Sequence, residues 1–256
     1  MTDQILSSIA DGVMTIRINR PQKKNALTVA MYAAMNEALR AADADDSVRV
    51  ILITGTEDVF SAGNDILDFI QNPPFDEDSP VGLFLQGMVR ARKPVVAAVN
   101  GVAIGIGTTM LLHCDLVYAG ESARFRLPFV NLALTPEAGS SYILPRMVGH
   151  QRAAELLMLG ETFDAATARE IGFVNQVLPD DQVEERALAM AHELAAKPPA
   201  ALRLTKALLK RGSAQALEET IHYELDQFRD LLQSPEAMEA FTAFMERRKP
   251  DFSKFS

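Results

Sequence analysis

A buried strand that runs into a glycine-broken turn most constrains the fold of this chain. Residues 95–99 read Val-Val-Ala-Ala-Val, and Asn100-Gly101 and then Gly105-Ile106-Gly107 follow. An apolar run bounded by glycine is typical of a strand covered on both faces. A turn that enters a helix can present backbone N–H groups to an anion. Further along, Thr135-Pro136-Glu137-Ala138-Gly139 places one carboxylate at a predicted helix start. An anion site and a carboxylate base are the groups that proton transfer beside a carbonyl requires.

Strand and helix patterns alternate through the first two thirds of the chain. Residues 12–19 alternate apolar and polar side chains, as a half-buried strand does, and residues 48–53 form a β-branched run. The stretch 182–248 has helical patterning, broken only at prolines and a glycine. This order predicts an α/β fold with mostly parallel strands and a helical C-terminal region.

Local signals predict where several helices begin. Thr28 is placed to cap a helix, and so is Asp164. We expect a further helix over 135–147, with Thr135 as its cap and Pro136 in its first turn. Residues 71–78 contain two prolines and three acids, which predicts an irregular, mobile loop.

Composition excludes several classes of function. The net charge of −9 disfavours a nucleic-acid or anionic-membrane partner, because both require a basic surface. The single cysteine, Cys114, excludes a disulfide framework, and the four histidines show no metal-ligand spacing. We therefore expect no metal site. No signal peptide and no membrane-spanning run are evident, so we expect a cytoplasmic protein.

Six segments together resemble the crotonase family, also called the enoyl-CoA hydratase/isomerase superfamily. They are NRPQKKNAL at 19–27, FSAGND at 60–65, KPVVAAVNG at 93–101, CDLVYA at 114–119, LPRMVG at 144–149 and AFMERRK at 243–249. Each segment alone is a weak signal, but their order spans nearly the whole chain.

The resemblance implies both a fold and a substrate class. The fold is a spiral of ββα turns that forms two nearly perpendicular sheets, here an acyl-CoA-binding core over 1–195. The helical region 196–256 is expected to assemble the chain into a homotrimer or a dimer of trimers. Family members bind acyl-CoA thioesters and stabilise an enolate at the thioester carbonyl, so coenzyme A is part of the substrate and no separate cofactor is expected.

The resemblance also assigns an oxyanion hole, which is a pair of N–H donors for the enolate oxygen. The matching positions are Asn64 and Ile106. Donors fixed before the reaction stabilise developing charge without reorganising, and the helix after Ile106 should add its dipole. The alternative is that Gly105 and Gly107 only permit tight strand-to-helix packing.

This chain departs from the hydratase pattern at two positions. A typical hydratase has two glutamates that position and activate a water molecule. The matching residues here are Thr109 and Phe129. Neither side chain can act as a carboxylate base, so we expect efficient hydration to be disfavoured.

The remaining acid is Glu137, whose surroundings look like those in peroxisomal-type Δ3,Δ2-enoyl-CoA isomerases. There a single glutamate moves the proton, which predicts a catalytic Glu137 with a pKa raised by burial. The alternative is that Glu137 only complements a helix dipole. The nearest rival activity is a ring or epoxide isomerase of aromatic acyl-CoA, or another lyase or hydrolase of the family. A non-catalytic acyl-CoA-binding protein remains the alternative from another class.

Further positions are assigned to substrate binding by the same resemblance. Those expected to contact coenzyme A are Lys23, Lys24, Ala26, Ala62, Phe244 and Arg247. Those expected to line the acyl pocket are Thr109, Phe129 and Leu132. Simple solvation of a surface residue remains the alternative for each lysine, and Phe244 and Arg247 match a site that meets a neighbouring subunit's nucleotide.

Overall fold

The structure, a computed structural model, describes residues 3–72 and 78–255. The strands in these ranges are β1 Ile5–Ala10, β2 Val13–Ile18, β3 Val50–Thr54, β4 Val59–Ser61, β5 Val95–Val99, β6 Val102–Ile104, β7 Leu116–Gly120, β8 Arg124–Arg126, β9 Thr162–Asp164 and β10 Gln176–Leu178. The α-helices are α1 Val29–Ala44, α2 Ile66–Gln71, α3 Pro80–Arg90, α4 Ile106–Thr109, α5 Ser140–Val148, α6 His150–Ala154, α7 Ala165–Glu170, α8 Val183–Ala195, α9 Pro199–Arg211, α10 Ala214–Leu232 and α11 Pro235–Met245.

The larger sheet has the strand order β1-β2-β3-β5-β7-β10, and only the β1–β2 pair is antiparallel. Both of its faces are covered. Residues such as Ile51 and Ile53 pack in one cluster with α1 and α3, whereas Val50 and Leu52 pack against α8 on the other face. Burial on both faces is typical of parallel strands, and it explains the continuous apolar runs in β3 and β5.

The smaller sheet has the order β4-β6-β8-β9 and carries the turns that matter for function. Strands β4 and β6 are parallel neighbours, so their carboxyl ends lie side by side at one edge. Gly63-Asn64 follows β4, and Gly105-Ile106 follows β6. A Cβ atom on Gly63 would lie 2.8 Å from the carbonyl oxygen of Ile104, which shows how closely the two turns approach.

The predicted α/β class is confirmed, and the local caps hold. Thr28 accepts a hydrogen bond from the Met31 N–H at the start of α1, and Asp164 does the same for α7. The helix predicted over 135–147 is wrong at its start, because α5 begins only at Ser140 and Gly139 precedes it. The predicted loop over 71–78 falls partly on residues 73–77, which lie outside the described residues.

The C-terminal helices α9, α10 and α11 fall within 196–256, the segment predicted to assemble subunits. Helix α10 packs against both α5 and α11 within the same chain. The role of the segment in assembly stays a prediction. Among residues 3–72 and 78–255 we find no helix with the length and apolar character needed to cross a membrane.

Candidate active site

One cavity of about 1080 Å³ connects most of the residues predicted to act in catalysis or binding. Its wall includes Asn64 and Ile106, the acid Glu137, and the predicted pocket residues Phe129 and Leu132. These side chains come from the ends of β4 and β6 and from the segment that precedes α5. The fold therefore brings together groups that are far apart in the sequence.

Two backbone N–H groups at this wall are available to an anion. Ile106 is the first residue of α4, so its N–H has no partner within the helix. The chain around Asn64 pairs with Leu27 through the Gly63 carbonyl and the Asp65 N–H, each at 2.8 Å. That pairing does not use the Asn64 N–H. The geometry is that of two adjacent donors, one of them at a helix N-terminus.

The glycines of this turn have different roles. Gly105 has φ 55° and ψ −122°, a combination that only glycine adopts without strain, and a Cβ atom there would meet nothing within 4 Å. Gly107 is constrained by space instead, because its Cβ atom would lie 2.8 Å from the Ser61 carbonyl oxygen. Packing alone therefore explains Gly107 and does not explain Gly105, which sets the direction of the following N–H.

Glu137 lies in an irregular segment before α5 and faces the cavity. The residue is half-buried, and it lines the wall of the cavity. Burial raises its pKa from 4.5 to about 8, and the charge of Glu224 adds to the rise. The Thr109 hydroxyl donates a hydrogen bond to Glu137 Oε1 and partly offsets the rise. The pKa of this carboxyl group is therefore about 8, near the pH range in which a group can both accept and give up a proton.

Thr109 differs from its prediction as a pocket residue. Its side chain is 0% exposed and is not part of the cavity wall. The hydroxyl instead contacts the acid directly. Thr109 is therefore a hydrogen-bond donor to Glu137 and not a residue of the described cavity wall.

Two polar groups beside the acid were not found by sequence reasoning. Tyr32 of α1 lies on the cavity wall, and its hydroxyl donates to Asn64 Oδ1 at 2.5 Å. Burial, with the charge of Glu137, raises the pKa of Tyr32 well above 10. His113 Nε2 lies 2.8 Å from the Ala138 carbonyl oxygen and must donate, since a carbonyl only accepts. Burial lowers the pKa of His113 to about 4, so the ring is neutral at pH 7.

The residues predicted to contact coenzyme A all lie on the wall of the same cavity. They are Lys23, Lys24, Ala26, Ala62, Phe244 and Arg247. The loop that carries the lysines is held by fully buried Asn25, whose side chain donates to the Val59 carbonyl at 2.8 Å. The Ala62 N–H donates to the Lys24 carbonyl at 2.9 Å. Phe244 is 59% exposed, so this part of the cavity reaches the surface.

Apolar side chains dominate the rest of the wall. Those not singled out from the sequence are Phe69, Val89, Ile221, Leu225, Phe228 and Phe241. They come from α2, α3, α10 and α11, and Phe69 and Phe228 meet edge to face with ring centroids 6.1 Å apart. Such a wall suits an acyl chain, and helices distant in sequence supply most of it.

Other candidate groups have structural partners. Burial raises the pKa of the Cys114 thiol to about 12, which disfavours a reactive thiolate. Asp65 caps α2 by accepting from the Asp68 N–H, and it forms an ion pair with Arg20 at 2.7 Å. Within the described ranges, no group of three or more His, Cys, Asp or Glu residues is placed to hold a metal ion.

Comparison with known proteins places this site in context. The family model described as enoyl-CoA hydratase/isomerase matches residues 8–254. The chain is 35% identical over 260 residues to a 1,2-epoxyphenylacetyl-CoA isomerase of Escherichia coli (strain K12), covering 99% of each protein. It is 35% identical over 250 residues to enoyl-CoA delta isomerase 2 of Rattus norvegicus, covering 95% of this chain and 64% of the relative. The solved structure of Pseudomonas aeruginosa OdaA is similar with a TM-score of 0.94 and 51% identity, covering 96% of this chain and 100% of that one.

Proposed function

This chain belongs to the enoyl-CoA hydratase/isomerase family, and from that premise we propose that it converts 3-enoyl-CoA to trans-2-enoyl-CoA. The main support is the raised pKa of Glu137. Among the described wall residues the carboxyl groups are Asp65, Glu137 and Glu218. Hydrogen bonds to Arg20 and Arg90 lower the pKa of Asp65 and Glu218, whereas the pKa of Glu137 is raised to about 8. A raised pKa in a cleft is typical of an acid–base residue.

The proposed reaction is a proton transfer between two carbons. Ionised Glu137 removes a proton from C2 of the substrate, and the electron pair moves onto the thioester oxygen to give a dienolate. The N–H groups of Asn64 and Ile106 donate hydrogen bonds to that oxygen. Protonated Glu137 then returns the proton at C4, the double bond moves to C2–C3, and the base is regenerated. This sequence balances without a metal or redox cofactor.

The same residues disfavour water addition. Thr109 has no carboxylate, and its hydroxyl is already engaged with Glu137. Phe129 is a buried apolar residue at the position of the second hydratase acid. Of the carboxyl groups on the described wall, Glu137 is the one with a raised pKa, so the site is equipped to move a proton along a chain rather than to activate water.

A second candidate is an epoxide or ring isomerase of an aromatic acyl-CoA. It is favoured by the Escherichia coli relative named 1,2-epoxyphenylacetyl-CoA isomerase. The aromatic side chains of Phe69, Phe129 and Phe228 on the wall also suit a ring. A binding protein without turnover is the non-enzymatic alternative, and the raised pKa of Glu137 weighs against it.

Incubation with trans-3-hexenoyl-CoA tests the proposal directly. We expect absorbance of the conjugated 2-enoyl thioester to appear, with hydration of crotonyl-CoA slower by orders of magnitude. Rapid hydration of crotonyl-CoA would contradict our interpretation of Thr109 and Phe129. Turnover of 1,2-epoxyphenylacetyl-CoA without turnover of 3-hexenoyl-CoA would favour the second candidate, and tight binding without turnover of any substrate would favour a binding protein.

The rate should depend on pH through the ionisation of Glu137. Because the base must be deprotonated, we expect kcat/KM to rise as the pH increases through about 8. Thr109→Val removes a hydrogen bond that lowers the pKa of Glu137, so the rise should move to higher pH and the rate at pH 7 should fall by roughly 3- to 10-fold, as expected for about half to one pKa unit. A pH profile unchanged by the substitution would show that Thr109 does not act on the base.

We further propose coenzyme A contacts at the lysine loop and at Phe244 and Arg247, and assembly into a trimer or a dimer of trimers. The wall positions support the first proposal. Exposed Leu204, Leu208 and Leu209 on α9 support the second, because a cluster of exposed leucines is typical of an interface. Light scattering in solution gives the number of chains, and a monomer would contradict the assembly proposal.

A further inference from the structure

A buried carboxylate on α10 meets the segment that carries Glu137. Glu224 is only 5% exposed. Its Oε2 accepts a hydrogen bond from the Gly139 N–H at 2.6 Å, and its Oε1 accepts from the Ser141 N–H at 3.0 Å and from the Ser141 hydroxyl. Burial raises the pKa of Glu224, and these three hydrogen bonds oppose that rise because each partner donates to the carboxylate and so favours its ionised form.

Glu224 replaces the cap that α5 lacks. The residue before the helix is Gly139, which has no side chain to accept from the first N–H groups. Glu224, from the distant helix α10, accepts instead from the Ser141 N–H in the first turn, and its negative charge is favourable at the positive end of the helix dipole. A right-handed helix cannot pass through Ala138 and Gly139, whose φ angles are positive, so α5 begins only after Gly139 and not at Thr135.

The backbone on either side of Glu137 is held in the same way. The Glu137 carbonyl accepts from the Ser140 N–H at 3.1 Å and from the Ser140 hydroxyl at 2.7 Å. The next carbonyl, of Ala138, accepts from His113. Ala138 and Gly139 have φ angles of 59° and 72°, which are left-handed values that surrounding contacts must maintain. A Cβ atom on Gly139 would lie 2.3 Å from Leu217 Cδ1, so α10 also packs closely against this turn.

We propose that Glu224 is a positioning residue for the proton transfer: from α10 it holds the backbone of residues 139–141 so that the Glu137 carboxyl faces the oxyanion-binding N–H pair. This inference rests on the function proposed above. Glu224 does not line the cavity wall and therefore acts through residues 137–141 rather than on the substrate. It would make α10, in the segment predicted for assembly, part of the catalytic machinery.

The charge of Glu224 also affects the pKa of Glu137, which is an effect that packing alone would not produce. A second negative charge opposes ionisation of Glu137 and contributes to the rise of its pKa. The Thr109 hydroxyl donates to Glu137. The charge of Glu137 contributes to the raised pKa of Tyr32 on α1, and His113 contacts the next residue in neutral form. Removing the charge at position 224 should therefore lower the pKa of Glu137, the opposite of the shift expected for Thr109→Val.

The test compares Glu224→Gln with Glu219→Gln. Glu219 is exposed on the same helix, where it accepts from Gln215 within the helix, so its substitution controls for charge loss on α10. For Glu224→Gln we expect kcat to fall roughly 10- to 100-fold, as a displacement of the reacting group of about 1 Å would produce. KM should change less than about threefold, because ground-state binding is not altered. Glu219→Gln should behave as the wild type.

Two readouts do not require turnover. Glutamate labelled with ¹³C at the δ carbon allows the Glu137 titration to be followed by NMR, with the signal assigned by its loss in Glu137→Gln. Hydrogen exchange reports on the amides of Gly139 and Ser141. In Glu224→Gln we expect a lower titration midpoint for Glu137 and faster exchange at both amides, whether or not 3-hexenoyl-CoA is the substrate.

The results of these experiments distinguish a failure of the positioning role of Glu224 from a failure of the proposed isomerisation. A wild type that fails to isomerise 3-hexenoyl-CoA, with the NMR shift present, would overturn the proposed reaction but retain the coupling between Glu224 and Glu137. A lower melting temperature with an unchanged kcat and unchanged Glu137 titration would overturn the positioning role. Should Glu224→Gln fail to fold, Ser141→Ala removes one donor and should give a few-fold loss of kcat, and no loss would overturn the role.

Discussion

Replacing Glu137 with glutamine is expected to lower kcat for 3-hexenoyl-CoA by about 10³- to 10⁴-fold, since one carboxyl both removes and returns the proton. Glutamine has the same shape, and its oxygen can still accept from the Thr109 hydroxyl. We therefore expect the fold and the affinity for acyl-CoA to persist. Glu161→Gln, at an exposed site on the surface, is the control and should keep the wild-type rate. Retention of near-full activity by the Glu137 variant would show that another group is the base.

The same substitution should change stability in a direction set by linkage. In the unfolded chain Glu137 ionises near pH 4.5, whereas in the folded protein its pKa is about 8. The folded state thus holds a proton that the unfolded state has lost, and wild-type stability falls as the pH rises from about 4.5 to about 8. The loss is on the order of 5 kcal/mol. Glutamine has no such titration, so denaturant unfolding at pH 5 and pH 9 should show a smaller decline in the variant.

The second large effect is expected from Gly105→Ala. Alanine at φ 55° and ψ −122° is strained by roughly 1–3 kcal/mol, although its Cβ atom would meet nothing within 4 Å. The strain is relieved by rotating the peptide unit that joins Gly105 to Ile106, which turns the Ile106 N–H away from the thioester oxygen. Loss of one such donor costs about 10²- to 10³-fold in kcat. Steady-state kinetics with 3-hexenoyl-CoA measures this.

Gly149→Ala is a matched control for that substitution. Gly149 has φ 80° and ψ 159°, and a Cβ atom there also meets nothing within 4 Å, but the residue lies between α5 and α6 and does not line the cavity. Both variants should lose stability to a similar degree. Only the variant at Gly105 should lose activity, and equal activity in the two would mean that the Ile106 N–H is not an oxyanion donor.

Local sequence signals predicted those parts of the fold that are determined locally. The strand at 95–99 and the caps at Thr28 and Asp164 are correct because a run of apolar residues, or one side chain and its nearest N–H groups, decides each of them. The helix start at Thr135 is wrong because Ala138 and Gly139 have positive φ angles, and the turn is held by contacts with Glu224 and His113 that no local pattern encodes. The three-residue strands of the smaller sheet were missed because they are too short to show a period.

The candidate site likewise contains some residues that the sequence predicted and others that it did not. Motif positions led to Asn64, Ile106 and Glu137, and the structure brings them to one cavity. Tyr32 and His113 were missed because each meets the site only through tertiary contacts, with Asn64 Oδ1 and with the Ala138 carbonyl. For His113 the available signal was a histidine within an apolar stretch, since a buried histidine needs a partner.

A crystal structure of Glu137→Gln with trans-3-hexenoyl-CoA bound tests the central claim most directly, because the inactive variant would retain the substrate. We expect the position-137 side chain to lie within about 3.5 Å of both C2 and C4, the separation of groups ready to react. The thioester oxygen should lie about 2.7–3.1 Å from the backbone nitrogens of Asn64 and Ile106. A side chain turned away from the acyl chain, or a thioester oxygen bound elsewhere, would contradict the single-base mechanism.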